Sequence, residues 1–282
     1  MAEQLPVTGS SARPDLSLAV IVGVGGIGMA TARRLGQHHR LLLTDFDRDR
    51  LEARCHQLCE EGFDAAAHPC DITDAGQAAE LAAQVERRGP LGALAHVAAL
   101  SPSMGSAQRI LTVTLVGARH VEQAMRHLAR KGTAAVFVSS LAAQFAAPSA
   151  KVMAILDDAL APGFFRELEE AHGEMSTAEA YTLAKFALNR MCRRMAAAWG
   201  QQGARILSVS PGLIATPMGA LEFRNQPNKY EILSKIPAGR EGTMVEIANA
   251  IEFFASPRAS YISGVDILVD GGVAAALAFP DN

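Results

Sequence analysis

The sequence predicts an α/β fold in which a doubly wound, seven-stranded parallel sheet carries helices on both faces. Three observations lead there: short apolar runs recur along the 282 residues, stretches of helical apolar spacing separate them, and glycines close the first run at once. The runs are 18–22 (LAVIV), 40–44 (RLLLT), 65–70, 93–98 (ALAHVA), 134–139 (AAVFVS), 205–209 (RILSV) and 265–269 (VDILV). A short run that is apolar throughout fits a strand buried on both faces, and strand alternating with helix marks parallel βαβ units. Leu81 and Val85 mark the helix before the fourth run, and Leu188, Met191 and Met195 mark a long helix near 180–199. Residues 1–15 are polar and contain Pro6, Gly9 and Pro14, which reads as a flexible N-terminal tail ahead of one domain over 16–282.

Composition limits the partners. With 49% hydrophobic residues the chain builds its core without disulfide or metal staples. Twenty-six Lys and Arg against 29 Asp and Glu leave a net charge of −3, which gives no broad attraction for nucleic acid or anionic lipid. No run approaches the roughly 18 apolar residues of a membrane span. Cysteines 55, 59, 70 and 192 have no CxxC spacing and read as reduced thiols of a cytoplasmic protein. Cys55, His56 and Cys59 share a charged helix with no second cluster to complete four ligands, so no metal is expected.

The segment Gly23-Val24-Gly25-Gly26-Ile27-Gly28 fits GxGxxG between the first strand and a helix containing Met29, Ala32 and Leu35. In that context glycines allow a tight turn, backbone N–H groups approach a pyrophosphate, and the helix N-terminus adds partial positive charge. Asp45, followed by Phe46, stands 20 residues beyond Gly25 just past the second strand. A carboxylate there accepts hydrogen bonds from the adenosine ribose and repels a 2′-phosphate, so NAD(H) is expected over NADP(H), with Arg48 and Arg50 as nearby positive charges that soften the exclusion.

Tyr181 and Lys185, four residues apart, lie on one helix face. A phenol works as acid or base near neutrality when a neighbouring ammonium stabilises its phenolate. Ser139-Ser140 follow the apolar run AAVFV and set a hydroxyl at a strand's carboxyl end, where it can hold a carbonyl oxygen beside the phenol.

With these residues in place, the chain resembles the short-chain dehydrogenase/reductases from Leu18 to about Val273, and most nearly the bacterial 3α-hydroxysteroid dehydrogenase/carbonyl reductases among them. The resemblance implies a catalytic set of Ser140, Tyr181, Lys185 and Thr114. Thr114 stands where the family has the asparagine of a VNxxG pattern. It also implies that nicotinamide cofactor meets Gly23, Gly25, Ile27, Gly28, Asp45, Phe46, Asp71, Ile72, Val97, Ala98, Ala99, Tyr181, Lys185, Pro211, Gly212, Ile214 and Thr216. The glycine turn is one residue shorter than the family's, and His96-Val97-Ala98-Ala99 replaces NNAG. A small apolar alcohol or ketone as substrate and a homodimer or homotetramer complete the expectation. An NAD-binding sensor that lost turnover is the alternative, and a nucleotide-sugar epimerase would want a larger C-terminal domain.

Forty residues separate Ser140 from Tyr181, more than the family's usual connection. Val152, Met153, Ile155, Leu156 and Leu160, then Phe164, Phe165 and Leu168, have helical spacing around Pro162-Gly163, which predicts two short helices within an insertion over about 142–178. Their apolar faces are expected either to wall a pocket for a bulky cyclic, hydroxysteroid-like substrate or to serve packing or assembly. Met218, Phe223 and Tyr230 are expected to form an opposite wall or a lid.

Overall fold

The computed structural model describes residues 15–225 and 228–279, so the expected tail, save Asp15, lies outside the described residues. Seven parallel strands form one sheet: β1 (Leu18–Val22), β2 (Arg40–Thr44), β3 (Ala65–Ala67), β4 (Leu91–His96), β5 (Ala134–Val138), β6 (Arg205–Pro211) and β9 (Asp266–Val269). Their order is β3-β2-β1-β4-β5-β6-β9, so the winding reverses between β1 and β4. That reversal opens a crevice at the strands' carboxyl ends, where ligands of such sheets bind. A separate pair, β7 (Ile214–Ala215) with β8 (Gly242–Thr243), had no pattern of its own in the sequence.

Several strand ends differ from the sequence reading, two of them for identifiable reasons. The third strand stops at Ala67 rather than residue 70 because Pro69 has no N–H for the ladder, although Cys70 N still donates to Asp45 O at 3.0 Å. The fourth stops at His96 because the N–H groups of Val97 and Ala98 both turn to Val22 O, at 2.8 and 2.9 Å. This bend folds Ala98 against the glycine turn.

The core lies on both faces of the sheet. On one, α3 (Ala75–Arg88), α5 (Gly117–Arg126) and the 24-residue α8 (Thr177–Gly200) bury Leu81, Val85, Val121, Met125, Leu188 and Trp199. On the other, α1 (Gly26–Leu35), α2 (Arg48–Glu60) and α11 (Met244–Ala255) bury Met29, Leu35, Leu51, Leu58, Ile247 and Ile251.

The insertion forms the two expected helices, α6 (Ala150–Asp157) and α7 (Phe164–His172), with Gly163 between them at φ +90°. Its faces pack onto the protein. Val152, Leu156, Ala159, Phe164 and Leu168 share a core with Ile110 and Leu111 of α4 (Ala107–Leu111), with Leu115 and with Ala180, Leu183, Ala184 and Ala187 of α8. Asp157 fastens the insertion to α8 through Arg190, at 2.9 and 2.6 Å, and Arg194. Phe164, expected among the candidate wall residues, is only 4% exposed in this core, because the outer flank of α8 is apolar and needs cover. Among the described residues no helix is long and apolar enough to cross a membrane.

Candidate active site

The glycine turn has the shape its sequence predicts. Gly23 takes φ +95°, and a Cβ on it would lie 2.8 Å from Ala98 N; one on Gly28 would lie 1.9 Å from Gly23 O. Both positions exclude side chains. Around Gly25, by contrast, there is open space. The N-terminus of α1 has no side-chain cap and no acid in its first turn, so its amide donors are left to a ligand. A pyrophosphate fits here by both shape and donor chemistry.

Asp45 is buried at the end of β2, where its Oδ2 accepts from Val24 N at 3.0 Å and its Oδ1 from Asp47 N at 3.2 Å. Arg50 Nη2 also donates to Oδ1 at 2.6 Å, while its guanidinium lies 5.4 Å from the centre of the exposed Phe46 ring. The acid is thus aimed by the turn and partly neutralised by Arg50.

Other expected cofactor residues fall into two groups. Ala98, flanked by Val97 and Ala99, borders the turn, Pro211 closes β6 with Gly212 after it, and Ile214 and Thr216 follow, with Thr216 Oγ1 accepting from Gly219 N at 2.8 Å. Gly212 is pressed on Asp270, whose Cα would be 2.8 Å from an added Cβ. Asp71 is half-buried and Ile72 buried. Asp71 Oδ1 accepts from Thr73 N and Oγ1, at 2.9 and 2.7 Å, the Ile72 side chain belongs to the core, and Ile72 O accepts from His120 Nδ1 at 3.1 Å. Ile27 is half-buried against the opposite core.

Three segments bring the reactive groups together. A reciprocal cap, Ser176 Oγ accepting from Glu179 N at 3.2 Å and Glu179 Oε2 accepting from Ser176 N at 2.8 Å, starts α8 just ahead of Tyr181. Ser139 Oγ donates to Lys185 O at 3.1 Å, fixing α8 to the end of β5. Lys185 Nζ donates to Val138 O at 2.7 Å and lies 5.8 Å from the centre of the Tyr181 ring. Ser140 stands beside the phenol, and its own Oγ accepts from Ala142 N at 3.2 Å.

Burial raises the Tyr181 pKa, the Ser140 hydroxyl pulls it down, and the charge of Glu222 raises it. Burial pushes the Lys185 ammonium down to about 7. Between pH about 7 and its ordinary value of 10.5, this lysine binds fewer protons folded than unfolded, so it makes stability rise with pH across that window. Lys185→Met is expected to flatten this rise and to increase stability near pH 7; thermal melts of both proteins across the window check it.

Thr114 is buried in a π-helical turn (Thr112–Val116), and its Oγ1 accepts from Leu100 N at 3.4 Å. His96 is fully buried, stacked 5.1 Å from Phe137, with neither ring nitrogen bonded. Burial first, and then the Lys185 charge, lowers its pKa to about 3, so it is neutral. The sequence reading does not single out Glu222 or Ser101, which meet near Tyr181 and belong to no recognisable spacing. A cavity of about 250 Å³ lies between His120 and the turn at Leu160–Arg166, and Tyr181 does not line it.

A family model described as enoyl-(acyl carrier protein) reductase matches residues 23–161 and 168–274. The chain belongs to the short-chain dehydrogenase/reductase family of oxidoreductases. It is 31% identical to the short-chain dehydrogenase/reductase bsc3 of Alternaria brassicicola, over 93% of this chain and 97% of that one. It is also 31% identical to the 3-alpha-hydroxysteroid dehydrogenase/carbonyl reductase of Comamonas testosteroni, over 93% and 98%. The crystal structure of a 3-alpha-hydroxysteroid dehydrogenase from Pseudomonas sp. B-0831 with NADH superposes with a TM-score of 0.75 at 26% identity, covering 94% of this chain and all of that one. Structures of the same fold that are 20% and 22% identical hold NADPH.

Proposed function

We propose that this family member interconverts a secondary alcohol and a ketone with NAD(H), on a bulky cyclic, hydroxysteroid-like substrate. The observation that carries this reading is the meeting of Ser140, Tyr181 and Lys185 at the carboxyl end of β5, beside the strand reversal and the glycine turn. The C. testosteroni relative, named for hydroxysteroid and carbonyl chemistry, supports the substrate class.

Gly23, Gly25 and the first turn of α1 hold the pyrophosphate in this reading, Asp45 the adenosine ribose, and Pro211, Gly212 and Thr216 the nicotinamide end. The nicotinamide, when bound, accepts or donates the hydride. Tyr181 takes the hydroxyl proton in oxidation and returns it to the carbonyl oxygen in reduction. Ser140 holds that oxygen with a hydroxyl aimed where negative charge develops. Lys185 stabilises the phenolate when it carries its charge, and Thr114 supports the active-site wall by holding Leu100. The test is a screen of hydroxysteroids, cyclic alcohols and small alcohols with NAD or NADP, following the absorbance of reduced nicotinamide. Turnover of none of them overturns the reading.

Cofactor choice rests on Asp45 and Arg50 together. Asp45→Ala removes the charge facing a 2′-phosphate and is expected to narrow the preference for NAD. Arg50→Ala unmasks that charge and is expected to widen the preference by about threefold, an effect kept small by the solvent exposure of Arg50. The ratio of kcat/KM for the two cofactors checks both, and a wild-type protein that prefers NADP contradicts the assignment.

A further inference from the structure

We propose that Glu222 is a positioning residue of the catalytic site, latching helix α9 (Pro217–Asn225) onto the loop after β4 near Tyr181. The carboxylate is only 3% exposed. Its Oε1 accepts from Ser101 Oγ at 2.6 Å and from Ser103 N at 3.3 Å, and its Oε2 lies 3.7 Å from Lys229 Nζ of α10 (Asn228–Ser234). Partners about 120 residues away in sequence are thereby tied to a helix that starts just after the Pro211–Thr216 segment. A buried carboxylate is stable only when hydrogen-bonded or paired, so each of these bonds also holds the two segments together. Bonds to an ionised acceptor are the stronger kind, and the 2.6 Å hydroxyl contact is short.

The latch also reaches the chemistry. Lys229 faces Glu222 from α10, and among the described residues Glu222 and Lys185 both lie near the phenol; the negative charge of Glu222 holds the Tyr181 pKa up. Losing that charge favours the phenolate. This inference rests on the reading of Tyr181 as the proton-transfer group, but it can be tested without a substrate.

Three variants of the full-length protein separate the mechanical part from the electrostatic part. Glu222→Gln keeps an oxygen for Ser101 and loses the charge, Glu222→Ala loses both, and Ser101→Ala removes one bond while leaving the carboxylate in place. Hydrogen exchange is read at residues 100–104 and 217–225, and Tyr181 ionisation by ultraviolet titration, with Tyr181→Phe subtracted to remove Tyr230 and Tyr261. Glu222→Ala is expected to speed exchange in both segments about tenfold, Ser101→Ala in the same direction by less, and Glu222→Gln least. Glu222→Gln is expected to move the Tyr181 titration to lower pH. Should Glu222→Ala fail to fold, Ser101→Ala carries the exchange measurement. Wild-type exchange in Ser101→Ala, or an unmoved Tyr181 titration in Glu222→Gln, overturns the proposal. A screen that finds no substrate counts against the proposed function and leaves both of these results intact.

Discussion

Tyr181→Phe is expected to lower kcat by about a thousandfold, the loss typical of removing a well-placed general acid or base. The ring remains, so its packing beside Leu183 and the insertion core is kept and the fold should melt at nearly the wild-type temperature. The binding constant for NAD should change by no more than about twofold, since the phenol acts on a proton during reaction and does little to hold the cofactor. Direction and pH are linked. Oxidation needs the phenolate, whose formation burial opposes, so the wild-type oxidation rate should climb with pH until Tyr181 is ionised, whereas reduction should decline over the same range. Steady-state kinetics in both directions, with cofactor titration by fluorescence, check these outcomes. Near-normal turnover in the variant would assign proton transfer to another group.

The fold was readable because its signals are local and repeated. LAVIV, RLLLT and AAVFV are strands because each is apolar on both faces, and the two-sided core confirms that requirement. The glycine turn was readable for a similar reason: Gly23 and Gly28 fill positions where a Cβ would strike backbone. Tyr181 and Lys185 stood out because four residues is one helical turn. The rest depends on contacts that spacing does not encode. Glu222 meets Ser101 across 121 residues, and nothing near either residue in sequence marks the pair. The Arg50 bond to Asp45 depends on how α2 leaves β2, so Arg48 and Arg50 looked equivalent in the sequence until the structure placed Arg50 on the carboxylate. Thr114 sits at the family's position, and its bond from Leu100 N, fourteen residues earlier, is not marked by any spacing. Periodicity located the apolar faces of the insertion without showing what they cover.

Phe164→Ala addresses what those faces cover. The ring is 4% exposed among Val152, Leu156, Ala159 and Leu168, and its edge meets Phe165 at 5.0 Å between centres. Removing a buried aromatic ring leaves a cavity as well as losing transfer energy, which together cost about 3 to 5 kcal/mol. The loss should appear as a lower urea midpoint with little change in slope. A wall residue of a substrate pocket predicts a different pattern: kcat/KM falls for a large cyclic alcohol and holds for a small one. The core position predicts equal losses for both substrates, because Phe164 shares its cluster with Ala180, Leu183 and Ala184 on the helix that carries Tyr181 and Lys185. Loosening α6 and α7 then loosens the support of that helix, whatever the substrate size. Met153 and Ile155 are half-buried, so their alanine variants should cost less stability than Phe164→Ala. A size-selective loss in Phe164→Ala with an unchanged urea midpoint would place the ring against the substrate, contrary to the packing seen here.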